Sequence, residues 1–340
     1  MNKSLDLIGI GNAIVDVLTQ AEDSFIQTNQ INKGAMTLIE EDQAEELYAK
    51  MGPAMEISGG SAANTIAAFA SIGGRCGFIG KVADDQLGGV FRHDIKATGA
   101  VYDTVPLTGG LPTARCLIMV TPDAERTMCT FLGASVWITP GDIQKEFIQS
   151  AKVILLEGYL FDKPQAKQAF MKASELAHEG NTKTALSLSD PFCVARHREE
   201  FMDLIDDHID ILFANEDELK GLFQTETLEE ALIEVKGKCE LIVVTRGAKG
   251  SVILTSGQQY DIPAESVESV IDTTGAGDLY AAGFLYGYTR DEDIETCGHY
   301  GSTAAAAVLH HMGARPQQNI SACLNRVQER LQERKKIAYS

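Results

Sequence analysis

The sequence predicts an α/β fold: a three-layer α/β/α sandwich around a central, mostly parallel sheet, with a small β-sheet over one end. Two observations predict it. Short apolar runs alternate with longer amphipathic segments along the 340-residue chain, the pattern of strands buried on both faces by crossover helices. Two stretches, 14–39 and 105–131, break that rhythm and read as strands and turns without helices.

The elements follow in chain order. "LDLIGIG" opens as a strand, and "CGFIGKV" (76–82), "KVILLEGYL" (152–160), "TALSLS" (184–189), "DILFANE" (210–216) and "LIVVTRG" (241–247) read as further buried strands. Between them the 3.6-residue periodicity predicts helices at 61–72, 84–98, 163–179, 197–207, 216–223 and 227–238. "DLYAAGFLYGYTR" and "ETCGHYGSTAAAAVLHHMG" read as two small-residue helices packed closely at the end of the sheet. "ARCLIMV", a turn at "TPDAE" and "RTMCTF" form a hairpin, so 14–39 and 105–131 are expected to make one small sheet over the mouth of a site. With no repeat or linker, residues 1–340 are expected to form a single unit ending in a charged, solvated helix and tail, "QERLQERKKIAYS".

Composition narrows the function. Hydrophobic content of 44% and charged content of 23% describe an ordinary globular chain. A net charge of −19 without any basic block argues against nucleic acid and anionic membrane as partners. Seven scattered cysteines, with no CxxC pair, suit reduced thiols and a cytoplasmic location. Asp6, Asn12 and Asp16 interrupt the apolar N-terminus, which reads as a strand and turn rather than a signal peptide.

Glycine loops carry the chemistry. No GxxxxGK[ST] occurs, which argues against a P-loop NTPase. "GIGNAI" (9–14) begins like a dinucleotide fingerprint, but Ile14 replaces the third glycine and an extended segment follows. "SGGSAAN" (58–64) places paired glycines before a small-residue helix, suited either to close packing or to backbone contact with a ligand. In "TTGAGD" (273–278), the N–H groups of Gly275, Ala276 and Gly277 at a helix start suit an anion hole. Asp278 there is either a helix-start acid or a base for an attacking hydroxyl.

Read together, "GNAIVD", "GGSAAN", "GFIGKVADDQLG", "NEDE", "TRGAKG" and "DTTGAGDLYAAGFL" resemble the ribokinase-like (PfkB) carbohydrate kinase family, over nearly the whole chain. "RTMCTFLGAS", "EGYLFD" and "LSLSDPFCVARHR" are most similar to its adenosine kinase branch. The resemblance implies a ribokinase-like fold and an ATP- and Mg²⁺-dependent kinase phosphorylating a primary hydroxyl, here the adenosine 5′-hydroxyl, giving AMP in purine salvage. The alternatives are a sugar kinase of ribokinase or fructokinase type and, less favoured because a base is kept, a non-catalytic nucleoside-binding protein.

By the same resemblance, Asp278 is the base, Gly275, Ala276 and Gly277 form the anion hole, and Arg126 reaches the phosphates from the lid. Asn12, Asp16, Gly60 and Asn64 take the sugar, and Phe131 and Phe161 stack on the base. Asn215 and Glu218 face Mg²⁺ through water, and Thr245, Gly247 and Gly250 run beside ATP. The carbonyls of Asp272 and Thr274 are expected to hold a monovalent cation such as K⁺, and the assembly to be a monomer or homodimer.

Overall fold

The computed structural model describes residues 3–123, 125–315 and 320–338. The strands are β1 (Leu5–Ile10), β2 (Ile14–Gln20), β3 (Met36–Leu38), β4 (Met55–Gly59), β5 (Cys76–Ile79), β6 (Ala114–Val120), β7 (Arg126–Phe131), β8 (Ala151–Glu157), β9 (Lys183–Ser187), β10 (Ile211–Asn215), β11 (Leu241–Thr245), β12 (Ser251–Thr255) and β13 (Gln259–Ile262). The helices are α1 (Asp23–Thr28), α2 (Glu41–Lys50), α3 (Ser61–Ser71), α4 (Gln86–Ala97), α5 (Lys145–Gln149), α6 (Pro164–Glu179), α7 (Pro191–His208), α8 (Glu216–Phe223), α9 (Leu228–Val235), α10 (Ala276–Tyr288), α11 (Ile294–Val308) and α12 (Ser321–Ala338).

An eight-stranded sheet runs β13-β12-β11-β10-β9-β8-β1-β5. Its pairs are parallel from β5 to β11 and antiparallel only at β11–β12 and β12–β13. Successive residues of each central strand enter opposite cores. Leu7, Val153 and Ile211 join α3, α10 and α11, whereas Ile8, Ile154 and Leu212 join α6 to α9. Burial on both faces is why these strands read as continuous apolar runs.

The second sheet, β3-β7-β6-β2-β4, is built from the two irregular stretches and β4, a strand that the sequence reading missed. It alternates with period two. Val15, Val17, Leu117 and Met119 face the core, while Asp16, Cys116, Ile118, Arg126 and Met128 face a cavity. The expectation that 14–39 lacks helices is corrected by α1, and α2 follows immediately. Both are short with acids in their first turns, and their apolar stripe is thin: Ile26 in α1, Ala44 and Leu47 in α2. The helix expected at 197–207 begins earlier, at Pro191, capped by Asp190 and kinked at His197. The predicted turn at "TPDAE" includes Ala124, outside the described residues, as do Tyr339 and Ser340 of the tail.

The two small-residue helices pack as expected. A Cβ on Gly283 of α10 would lie 2.4 Å from the Tyr300 carbonyl oxygen of α11, so this approach requires glycine. We expect Gly283→Ala to lose about 1–3 kcal/mol through overpacking, despite alanine's better helix propensity. Urea unfolding measures it, and a more stable variant would refute the close contact.

Candidate active site

Parallel strands β8, β9, β10 and β11 end at one place, and Glu157, Ser187, Asn215 and Thr245 at their C-termini line a cavity of about 860 Å³. The small sheet supplies the opposite wall. Crevices at the carboxyl ends of parallel strands are the usual ligand position in open α/β sheets.

The N-termini of α3 and α10 meet at this cavity. Asp278, in the first turn of α10, accepts from Ser61 Oγ at 2.6 Å and from Asn64 Nδ2 at 3.1 Å, and its carbonyl accepts from Thr65 Oγ1 at 3.1 Å. Removal from bulk water pushes its carboxyl up to about 6, while the Ser61 and Asn64 hydrogen bonds pull the other way. Asp278 therefore does more than cap a helix: its oxygens are tied across the site to another helix and open into the cavity. A carboxylate ionised near neutrality and held there is suited to take a proton from a hydroxyl.

Gly275 precedes α10 at φ +78°, and any Cβ would sit 2.6 Å from Ala314 Cβ. Gly275 and Gly277 line the cavity. Ala276 does not, and its N–H donates to the Thr273 carbonyl at 3.1 Å. That turn removes one of the three donors expected for an anion hole.

Asp16 on β2 lies across the cavity. Burial raises its carboxyl to about 6; Arg126 and Arg315 oppose the rise and Asp278 adds to it. Gly60 is the N-cap of α3 and lines the same wall with Asn64. Asn12 also faces the cavity but is committed to the protein. Its Nδ2 donates to Glu157 Oε1 at 2.7 Å, and its Oδ1 accepts from Ser135 Oγ at 2.7 Å.

Arg126 reaches from β7 to the loop before α10, paired with Asp272 and donating to Thr274 Oγ1 at 3.0 Å. Although burial disfavours its charge, Asp272 is held below the usual carboxylate range by hydrogen bonds from Thr274 and Gly313 and by Arg126.

Asn215 and Glu218 form a reciprocal capping box at the start of α8. Glu218 N donates to Asn215 Oδ1 at 2.8 Å, and Asn215 N donates to Glu218 Oε2 at 2.9 Å. Burial raises Glu218 to about 7. Both residues line the cavity, but among the described residues no group of three or more His, Cys, Asp or Glu is placed to hold a metal. With both carboxylate oxygens bonded to Asn215, the pair fits a hydrated cation at the cavity better than direct ligation. Thr245 lines the cavity, whereas Gly247 and Gly250 form the β11–β12 turn, where Arg246 N donates to the Gly250 carbonyl at 2.7 Å.

The two expected stacking rings are corrected. Phe161 stacks on Phe201 at 4.5 Å and packs near Phe170, inside the core under α6 and α7. Phe131 is 4% exposed and sits beside Arg115 on the small sheet. Neither lines the cavity; Tyr159, two residues before Phe161, does. The turn after β8 is 3₁₀ rather than extended, and that sends Phe161 into the core.

Sequence reasoning also missed Ser61 and Glu157. Glu157 is 1% exposed, accepts from Ala62 N at 2.8 Å and thereby pins the start of α3. Desolvation raises it to about 7, with Ala62 and Asn12 opposing and Asp278 adding. The available signal was one carboxylate closing the apolar run "VILLE".

Comparison with known proteins agrees with this architecture. The model of the pfkB family of carbohydrate kinases matches residues 35–320, and the chain belongs to that family. A probable sugar kinase from Rhizobium etli is 45% identical with a TM-score of 0.90, covering 96% of this chain and 99% of that one. An adenosine kinase from Sinorhizobium meliloti is 47% identical with a TM-score of 0.88, over 95% and 99%. A 5-dehydro-2-deoxygluconokinase from Listeria monocytogenes is 28% identical over 90% of each chain. The fold is thus ribokinase-like, and the activity is that of a kinase acting on a sugar or nucleoside hydroxyl, which implies ATP and Mg²⁺. No helix among the described residues is long and apolar enough to cross a membrane.

Four acids at the cavity, Glu157 and Glu218 buried and Asp16 and Asp278 half-buried, set a pH dependence. Asp16, Asp278, Glu157 and Glu218 all have raised folded values, of about 6 or 7, against 3.8 or 4.5 unfolded. The folded protein binds these protons more tightly, so stability falls as pH rises from about 4.5 through about 7. We expect a higher Tm for the ligand-free protein near pH 6 than near pH 8. A Tm that climbs over that interval would contradict the desolvation of these groups.

Proposed function

We propose that this chain transfers the γ-phosphoryl group of ATP to the 5′-hydroxyl of adenosine, forming AMP. The observation that carries the acceptor is the make-up of the small-sheet wall. Ile14, Met36, Leu38, Ile118, Met128 and Leu132 give one side of the cavity an apolar surface with Asp16 of β2 set into it, facing a floor that bears Asn64 and Asp278. A nucleoside has that division, with a flat apolar base at one end and hydroxyls at the other. A free sugar is polar on every edge and would leave the apolar wall unused. The 47% identity to an adenosine kinase supports the same reading.

In this reading Asp16 and Asn64 take the ribose hydroxyls, and Asp278 accepts the 5′-hydroxyl proton as that oxygen attacks the γ-phosphorus. Magnesium-bound ATP supplies the phosphoryl group and leaves as ADP. The N–H groups of Gly275 and Gly277 stabilise charge on the transferring group, and Arg126 exchanges Asp272 for the phosphates. Asn215 and Glu218 would hold the hydrated magnesium ion that accompanies the nucleotide, which would supply positive charge to the phosphates. The Asp272 and Thr274 carbonyls accept no backbone hydrogen bond among the described residues, which leaves them free for a monovalent cation. Tyr159 offers the base an aromatic face.

A sugar-kinase reading is favoured by the Listeria relative and the Rhizobium structure. Its test is ADP release with adenosine, inosine, ribose, fructose and 5-dehydro-2-deoxygluconate. Turnover of adenosine above the others is expected; turnover of a sugar with none of adenosine would sink the proposal. Asp278→Asn is expected to lower kcat by about 10²–10⁴-fold while acceptor binding persists. In the wild type, kcat should fall as pH drops through about 6, where Asp278 takes up its proton. An Asn variant with unaltered kcat would remove Asp278 from the role of base.

A further inference from the structure

Arg315 lies in the segment after α11 and belongs to none of the motifs discussed so far. Its Nε donates to Asn64 Oδ1 at 3.5 Å, on the far side of the amide from the Nδ2 that bonds Asp278. Its Nη2 is sealed from solvent with no hydrogen-bond partner among the described residues. The charges facing it are Asp94 on α4, beside His93, and Asp16 on β2. Neither forms a direct ion pair with it among the described residues. Enclosing a guanidinium without a bidentate partner is costly, so stability alone does not favour this placement.

We propose that Arg315 is a positioning residue of the acceptor pocket, orienting the Asn64 amide and placing a fixed positive charge on the Asp16 side of it. A cation at Oδ1 and an anion at Nδ2 leave the amide one orientation, with its donor turned toward Asp278. Asp16 is faced by Arg126 on β7, Arg315, Asp278 on α10 and Cys116 on β6. Arg126 is the cation that must leave for the phosphates, and Arg315 is the one that stays. Burial lowers the affinity of Arg315 for its proton, while Asp94 and Asp16 oppose that effect. The inference rests on the reading of Asp16 and Asn64 as the groups that take the acceptor's hydroxyls.

The test compares wild type, Arg315→Met and Arg315→Lys on whichever acceptor of the panel wild type turns over. A failed adenosine assay therefore sinks the acceptor assignment and leaves this experiment intact. Arg315→Met should raise the acceptor KM about tenfold, with the ATP KM within about twofold. It should also move the acid limb of kcat/KM for the acceptor up by about one pH unit, since an opposite charge nearby lowers a carboxyl by that order. Arg315→Lys, which keeps the charge and loses the planar fork, should return the acid limb close to wild type. An unchanged acceptor KM and acid limb in Arg315→Met would overturn the proposal. So would equal losses for both substrates with an unmoved limb that lysine does not rescue, the mark of a merely structural residue.

Discussion

Asp278 is held between Ser61 and Asn64 where the first turns of two helices meet, and the rest of the site is arranged around that contact. For its carboxylate to reach α3, the chain must bend at Gly275 against Ala314 without a side chain in the way. Helix α10 must then lie flush on α11, which Gly283 permits. From the other side, Glu157 at the end of β8 bonds Ala62 N and fixes where α3 begins. Three separate parts of the chain are thereby registered to one carboxylate. The contact stays narrow because all three are packed into a core that tolerates little displacement.

Electrostatics give the site its second character. The protein carries a net charge of −19, and its cavity gathers Asp16, Glu157, Glu218 and Asp278 away from bulk water. Desolvation keeps all four closer to protonation than surface acids. Cations near them are few and already engaged: Arg126 with Asp272, Arg315 with Asn64. Such a cavity suits ligands that bring their own counter-ion or offer hydroxyls, and is unfavourable to a bare anion.

Much of this was legible in the chain. The buried strands announced themselves as apolar runs, and the helices at 61–72, 84–98, 163–179 and 216–223 lie within one or two residues of α3, α4, α6 and α8. Small-residue helices signalled close packing, and glycines before Asp278 signalled a turn with free N–H groups. What failed had physical reasons. Helices α1 and α2 carry too thin an apolar stripe to show periodicity. Phe161 and Tyr159 are indistinguishable as aromatic candidates until the 3₁₀ turn after β8 decides which ring faces inward. Ala276 looks like its glycine neighbours as a donor until its N–H is seen turned to Thr273.

The sequence by itself determined the layered α/β architecture and the glycine turn before α10, because these depend on local periodicity and local backbone freedom, whereas Asp278 and Arg126 stood out only through the family resemblance. Only the tertiary structure decided which groups share a cavity. Ser61 meets Asp278 across 217 positions, Asn12 meets Glu157 across 145, and Arg315 reaches Asn64 across 251. Contacts at such separations leave no periodic trace in the chain, and the desolvation that retunes four acids exists only once the sheets and helices have closed around them.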